Sequence, residues 1–270
     1  MSYKLRVLSL GAGVQSTTLY LMAEEGLIEK FDLAIFADTG WERGDTYRVI
    51  EDLKSKYKTP IITVKGGNIK DDMLNGKENG VRFASMPLHC ITKNDKGILR
   101  RQCTNDYKIR PIDKELRKLL DLKPYQRYTG EAIELTLGIS LDEAQRANIY
   151  KEQKIRTNSY PLVDMSLTRN DCLEYLKRHG LEIKKSSCIG CPYHCNKEWR
   201  LLNPEEFKEA CNFDDQIRTG FDKIKAQELY IHQSLKPLSE VDLRTPEEKG
   251  QLRLFDYDKI KAFSNLTLSV

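Results

Sequence analysis

Three short apolar runs, separated by helix-length stretches, occupy the first 65 residues, and this alternation restricts the fold more than any other feature. Leu5–Leu10 is an apolar run ending in a glycine cluster, the pattern of a buried parallel strand entering a turn. Thr17–Glu25 reads as a helix, with Leu19, Tyr20 and Met22 apolar and Gly26 as its stop. Leu33–Ala37 then reads as a second buried strand, Tyr47–Tyr57 as an amphipathic helix and Ile61–Val64 as a third strand. Such β-α-β-α-β order predicts an α/β fold, a parallel sheet with helices on both faces. At 270 residues the chain can bury a large core without disulfides.

Beyond this point the pattern is looser. Gly66–Gly97 dissolves into Gly, Asn, Lys and Asp and predicts a long loop of the functional or mobile kind. Ile109–Leu122 reads as a helix with Pro111 in its first turn, and Glu134–Ile139 as a strand followed by a polar turn. Thr168–His179 reads as a helix that Thr168 caps, with Asp171 three residues on and Gly180 at its end. Pro204–Asn212 and Gly220–Leu235 also read as helices, and the charge-rich segment beyond Pro237 as extended or partly disordered.

Lys and Arg number 44 against 40 Asp and Glu, a net charge of +4 that permits a nucleic-acid partner without demanding one. Hydrophobic residues at 40% and charged residues at 31% exclude a wholly disordered chain. No window approaches the ~18 consecutive apolar residues of a membrane span. The N-terminal apolar run is too short for a signal peptide. The expectation is a cytoplasmic chain with reduced thiols, in which seven cysteines point to metal or redox chemistry.

Between the first strand and its helix lie Ser9, Gly11, Ala12, Gly13, Gln15, Ser16 and Thr17. Glycines let the backbone turn sharply and approach a ligand, and the following helix offers free N–H groups and a positive dipole end to an anion. Ser9, Ser16 and Thr17 add hydroxyl donors. The spacing fits neither the dinucleotide fingerprint nor the lysine-bearing phosphate loop, and a bare strand-to-helix turn is the alternative.

This segment resembles the pyrophosphate loop of the PP-loop ATP pyrophosphatases, whose fold is adenine-nucleotide α-hydrolase-like. Gly11-Ala12-Gly13-Val14-Gln15-Ser16 aligns with Ser-Gly-Gly-x-Asp-Ser, except that Ala12 replaces a glycine and Gln15 an acidic residue. Phe36–Glu42, with Asp45-Thr46-Tyr47, is similar to the second strand end and next helix of phosphoadenosine-phosphosulfate reductases. Asp38 and Thr39 fall outside the carboxyl end of a strand, where open α/β sheets bind ligands. Asp38 would there bond the nucleotide or orient magnesium, or simply cap the turn. Gly138, followed by Asp142, Glu143 and Arg146, resembles a segment of reductase-like PP-loop proteins that include the DNA phosphorothioation sulfurtransferases. Glu143 would hold magnesium and Arg146 clamp a phosphate; a surface Glu–Arg pair is the alternative. The resemblance implies ATP and Mg2+, with Gln15, Ser16, Asp38 and Glu143 as catalytic candidates. The chain is expected to divide into a PP-loop nucleotide-binding domain at 1–165, a small, mainly helical, cysteine-bearing region at 166–236, and an extended tail at 237–270.

Cys188-Ile189-Gly190-Cys191 places two thiols on one tight turn, half of a zinc or iron–sulfur site. Cys103 is the third candidate, because the arginines around it favour a thiolate. Cys90, His194 and Cys195 compete for a fourth position, while Cys172 and Cys211 sit in helix patterns as packed thiols. The residues leave an iron–sulfur cluster, structural zinc, a redox dithiol and buried thiols as readings. Arg100–Thr104, Tyr107–Ile109, Ser187–Pro192 and Trp199 resemble a bacterial and phage group of reductase-like proteins. Some PP-loop thiolation enzymes hold a [4Fe–4S] cluster by only three cysteines, and Cys103, Cys188 and Cys191 match that count. Thiosulfonate-forming reductases carry a nucleophilic cysteine near the C-terminus, whereas none follows Cys211 here.

Gln251, Leu252, Leu254 and Phe255 lie in a charged tail and resemble the peptides that dock on the bacterial sliding clamp; packing back onto the domain is the alternative. Together these features lead to an expectation of ATP-dependent, pyrophosphate-releasing sulfur or group transfer to a nucleic acid, tRNA or DNA. Arg100, Arg101, Lys108 and Arg110 are the residues expected to hold phosphates. A phosphoadenosine-phosphosulfate-type reductase and a non-enzymatic nucleotide-binding module docked on replication machinery are the alternatives.

Overall fold

The computed structural model describes residues 3–79, 86–92, 95–123, 125–149, 153–219, 227–245 and 248–250. The alternation read from the N-terminal third is realised as β1 (Arg6–Ser9), α1 (Val14–Glu24), β2 (Leu33–Asp38), α2 (Gly44–Lys56) and β3 (Ile61–Lys65). Next come α3 (Ile69–Asn79), β4 (His89–Ile91), β5 (Lys96–Ile98), α4 (Arg110–Leu119), β6 (Ile133–Leu137) and β7 (Arg156–Ser159). The rest comprises α5 (Pro161–Asp164), α6 (Arg169–Arg178), α7 (Asn196–Trp199), α8 (Pro204–Ile217) and β8 (Glu228–Tyr230).

Five strands form one parallel sheet in the order β3-β2-β1-β6-β7. Alternate side chains of the strands feed two cores, as a pleated strand requires. Leu8, Ala34 and Phe36 pack with α1, with Ile50 and Leu53 of α2, and with Cys172 and Leu176 of α6. Val7, Leu33, Ile35 and Ala37 pack on the other face with Ile112 and Leu116 of α4. Helices on both faces explain why β2 is buried along its whole length. Chain direction from β1 runs one way to β2 and the sheet continues the other way to β6. The crevice at the carboxyl ends of β1 and β6 is therefore the switch point where such sheets bind ligands.

A third core lies beyond the sheet. Trp41, Ile69, Met73, Leu88, Cys90, Tyr107 and Ile189 pack there with Trp199, Phe213, Leu229 and Ile231. Beside them β5-β4-β8 form a small antiparallel sheet. Helix α6 begins with the expected capping box, Thr168 and Asp171 bonding each other's backbone N–H.

Several expectations are corrected. The stretch 66–97 is not a structureless loop, because α3, β4 and the start of β5 fall within it. Among its described side chains the helix fully buries Ile69 and Met73, too few positions for periodicity to show. Glu228–Tyr230 is a strand rather than part of a helix, since pairing with β4 and burial of Leu229, Tyr230 and Ile231 override local propensity. Just past Pro237 the described residues form a short 3-10 turn, Leu238–Glu240, with Leu238 buried, and the chain is extended again at Val241. The docking-peptide residues Gln251, Leu252, Leu254 and Phe255 lie outside the described residues. No helix among the described residues is long and apolar enough to cross a membrane.

Candidate functional site

The glycine turn closes more tightly than the sequence suggests. Helix α1 starts at Val14, three residues before the expected start, with Gly13 as an extended N-cap that has no side-chain cap bond. Gln15, Ser16 and Thr17 are thus helical. The first turn carries no acidic residue, so its dipole is not offset by a carboxylate. Two glycines are required by close approach. A Cβ on Gly138, just past β6, would lie 2.8 Å from the Ser16 nitrogen, and one on Gly13 would lie 2.9 Å from the Ser186 hydroxyl. Their absence lets three segments meet at the switch point, beside the first turn of α1.

Gln15 links two of these segments. Its Nε2 donates to Glu143 at 3.1 Å and lies 3.4 Å from the Ser140 hydroxyl, while its Oε1 accepts from Arg169 at 2.9 Å. Arg146 donates to Glu143 at 2.7 Å. A guanidinium only donates and a carboxylate only accepts, so the amide can face just one way. Glu143 and Arg146 form the surface-type pair considered above, yet both line the same cavity as Gln15.

Asp38 sits elsewhere. Its Oδ1 accepts from the Gly40 N–H and the Tyr47 hydroxyl, each at 2.8 Å, and its Oδ2 meets Lys65 at 3.0 Å. Burial alone would raise this carboxyl, but the bonds from Gly40, Lys65 and Tyr47 outweigh it and hold it below the ordinary range. Asp38 thus caps its turn, while its neighbour Thr39 lines the cavity. Thr17 is fully buried and also lies outside the lining, and its hydroxyl has no hydrogen-bond partner among the described residues. Ala12, with φ 51°, backs onto a smaller cleft beside Arg43 and Lys184.

The cysteine turn is docked on the end of β2. Glu42 and Cys188 form an isolated antiparallel bridge, and the Ile189 N–H donates to the Trp41 carbonyl at 2.9 Å. The Cys191 N–H closes the turn onto the Cys188 carbonyl at 3.1 Å. Glu42 is buried beneath it, with Oε1 3.0 Å from both the Thr39 hydroxyl and the Lys108 ammonium and 3.9 Å from the Cys188 sulfur. Burial, with the Glu42 charge adding to it, pushes the Cys188 thiol well above its ordinary value, against the pull of Lys108 and the Thr39 hydroxyl. Burial likewise raises Cys191. Thiols held protonated in this way are weak nucleophiles, whereas a coordinated metal would deprotonate them outright.

Of the three rivals for a fourth position, His194 alone lines the cavity. Its Nε2 lies 2.7 Å from the Ser187 hydroxyl, Nδ1 has no hydrogen-bond partner among the described residues, and burial lowers it to about 4. Cys90 is buried in β4, and Cys195 is exposed at the start of α7. Among the described residues no group of three or more His, Cys, Asp or Glu side chains stands close enough to hold a metal ion. The donor chemistry still suits a thiolate-bound metal group, since Cys103, Cys188 and Cys191 line one cavity with Arg101, Lys108 and Lys185.

That cavity, of about 610 Å³, is what joins the two halves of the site. Ser9, Gly11, Gly13, Gln15, Ser16, Gly138, Glu143 and Arg146 line one part of its wall, and the three cysteines and His194 another. Of the four basic residues expected to hold phosphates, Arg101 and Lys108 line it; Arg110 pairs with Asp106 at 2.9 Å. Arg169, Lys185, Ser186 and the buried Glu42 were not singled out from the sequence. The cluster Lys184-Lys185-Ser186-Ser187 directly before Cys188 is the signal that points to two of them.

A glycine turn and helix N-terminus lining a cavity at the switch point of a parallel sheet are the features of a nucleotide-binding α/β protein. The phosphoadenosine phosphosulfate reductase domain matches residues 6–187, and the chain belongs to that family, a reductase-like group of the PP-loop superfamily. Its members are enzymes of nucleotide-dependent sulfur or group transfer. Among solved structures, the phosphoadenylyl-sulfate reductase of Candida auris in a phosphate complex is similar at 13% identity and a TM-score of 0.44, over 67% of this chain and 76% of that one. No curated protein matches the sequence.

Proposed function

We propose that this chain activates a nucleic-acid acceptor with ATP, releasing pyrophosphate, and then transfers sulfur or a related group to it. What supports this reading is a single cavity lined by both the glycine turn and the Cys188–Cys191 turn. ATP would set its phosphates on the N–H groups of Val14, Gln15 and Ser16, with Arg146 and Arg169 offsetting charge and Mg2+ held near Glu143. An acceptor oxygen attacks the α-phosphorus and pyrophosphate leaves. A sulfur nucleophile then displaces AMP from the adenylated position. Positioning and charge neutralisation by these side chains supply the catalysis. Cys103, Cys188 and Cys191 would hold a [4Fe–4S] cluster, which would supply an iron site for sulfide brought by an external donor; zinc in its place would be structural.

The test is anaerobic purification, an absorption spectrum and metal analysis, followed by pyrophosphate release with tRNA and DNA. Broad brown absorbance with about four irons per chain supports the cluster. Colourless protein holding one zinc removes the sulfur-delivery step, and no pyrophosphate with either nucleic acid removes the whole reading. The family match favours a second reading, a phosphoadenosine-phosphosulfate-type reductase. Thioredoxin-dependent release of sulfite from that nucleotide would select it.

A further inference from the structure

At the rim of the cavity, next to the second cysteine of the turn, stands an aromatic residue that packs into none of the hydrophobic cores. Tyr193 lines the cavity yet is 47% exposed. The Arg101 guanidinium lies 5.3 Å from its ring centroid. Arg101 lines the cavity too and, among the described residues, has no carboxylate partner. Its neighbours in the lining differ, for Lys108 pairs with Glu42, Arg146 with Glu143 and Lys185 with Glu198. An unpaired guanidinium laid over an exposed ring leaves two things for a ligand: a flat π surface and a positive charge beside it. A phosphate alone would need no ring, and an apolar peptide would gain nothing from an unpaired arginine. An unpaired nucleotide needs both, a face for the base and a cation for the backbone.

We propose that Arg101 and Tyr193 form a stacking platform for one unpaired base of a nucleic-acid strand, at the mouth of the cavity beside Cys191. The assignment deepens the nucleic-acid reading above and rests on it. The base lies along the Tyr193 ring, its phosphodiester is drawn to Arg101, and the nucleotide to be modified enters the cavity between the cysteine turn and the ATP phosphates. Duplex bases cannot reach such a ring without leaving the stack, so single-stranded or looped substrate is preferred.

The test uses the full chain and fluorescein-labelled 12-nucleotide single strands of DNA and RNA, and the matching duplexes, read by fluorescence anisotropy. ATP binding is measured on the same samples. Tyr193→Ala is expected to loosen single-strand binding at least about fivefold, the lower end of base–aromatic stacking. Tyr193→Phe is expected to bind as the unaltered protein does, and ATP affinity to stay level in both. If the unaltered chain binds single strands and Tyr193→Ala binds them equally well, the platform is overturned while the nucleic-acid reading stands. Equal loss in Tyr193→Phe overturns stacking in favour of a hydroxyl bond. Tighter binding of duplexes than of single strands overturns the unpaired base. If the unaltered chain binds none of the probes, the nucleic-acid reading itself fails and the platform with it.

Discussion

Gly190 faces the indole of Trp41 so closely that a Cβ on it would lie 2.1 Å from the ring carbon Cη2. The ring has nowhere to go. Its Nε1 donates to Glu209 at 3.0 Å and its face packs on Phe213 with centroids 4.7 Å apart. Gly190→Ala must therefore push the cysteine turn off the end of β2. Overpacking of this kind costs about 1–3 kcal/mol, read as a lower urea midpoint. Cys188 is the more telling readout. Freed from Glu42 and from burial, it should react with a thiol reagent faster than in the unaltered protein, and an unchanged rate would contradict the docking of this turn.

Gln15 stands where the PP-loop pattern has an acid, and the structure gives that departure a physical reason. The amide receives Arg169 on one side and gives to Glu143 on the other. A carboxylate at position 15 would face Glu143 as like charge at about the same separation. Gln15→Glu is expected to lower stability by roughly 1–3 kcal/mol at neutral pH through the lost donor. Melting curves of the two proteins at pH 7 test this. An unchanged melting temperature would mean that Arg169 alone holds the loop.

How much of this site can be read from the sequence depends on the distance between partners along the chain. The glycine turn, the strand runs and the α6 cap are local, and each shows in its own residues: Thr168 and Asp171 are three apart and the bonds form as expected. Contacts that assemble the site join residues far apart, Gln15 with Glu143 and Arg169, Gly13 with Ser186, Glu42 with Cys188. Nothing within either short segment encodes the pairing. The same reason hid β8, whose strand conformation exists through β4 more than a hundred residues earlier. Asp38 shows the opposite failure, for a residue type and position that suit a ligand are used up by Gly40, Tyr47 and Lys65.

Ala12 occupies a left-handed backbone conformation with φ 51° where the related loops carry glycine. A Cβ in that region costs roughly 1–2 kcal/mol, offset in part by the unfolded-state entropy that glycine adds. Ala12→Gly is therefore expected to raise the melting temperature by about 2–4 °C, as a gain near 1 kcal/mol would. The side chain lies outside the main cavity lining, so ATP affinity should not change with it. A lower melting temperature would show that Ala12 packing, at 2% exposure, outweighs the backbone strain.

Asp38→Asn separates a structural carboxylate from a magnesium ligand. The asparagine oxygen can still accept from Gly40 and Tyr47, but its NH2 would confront the Lys65 ammonium that now sits 3.0 Å from Oδ2. The expected cost is about 1–3 kcal/mol for a buried group left facing a like donor. The pH dependence has a defined sign. Because the folded carboxyl titrates below its ordinary 3.8, its contribution is fully present above that value and is lost as pH falls through the folded value. The variant should therefore lose less stability than the unaltered protein between neutral pH and pH 3, measured by urea unfolding. Mg2+-dependent ATP binding should survive the substitution, since Asp38 does not reach the cavity. Loss of that binding at full stability would place Asp38 on the metal after all.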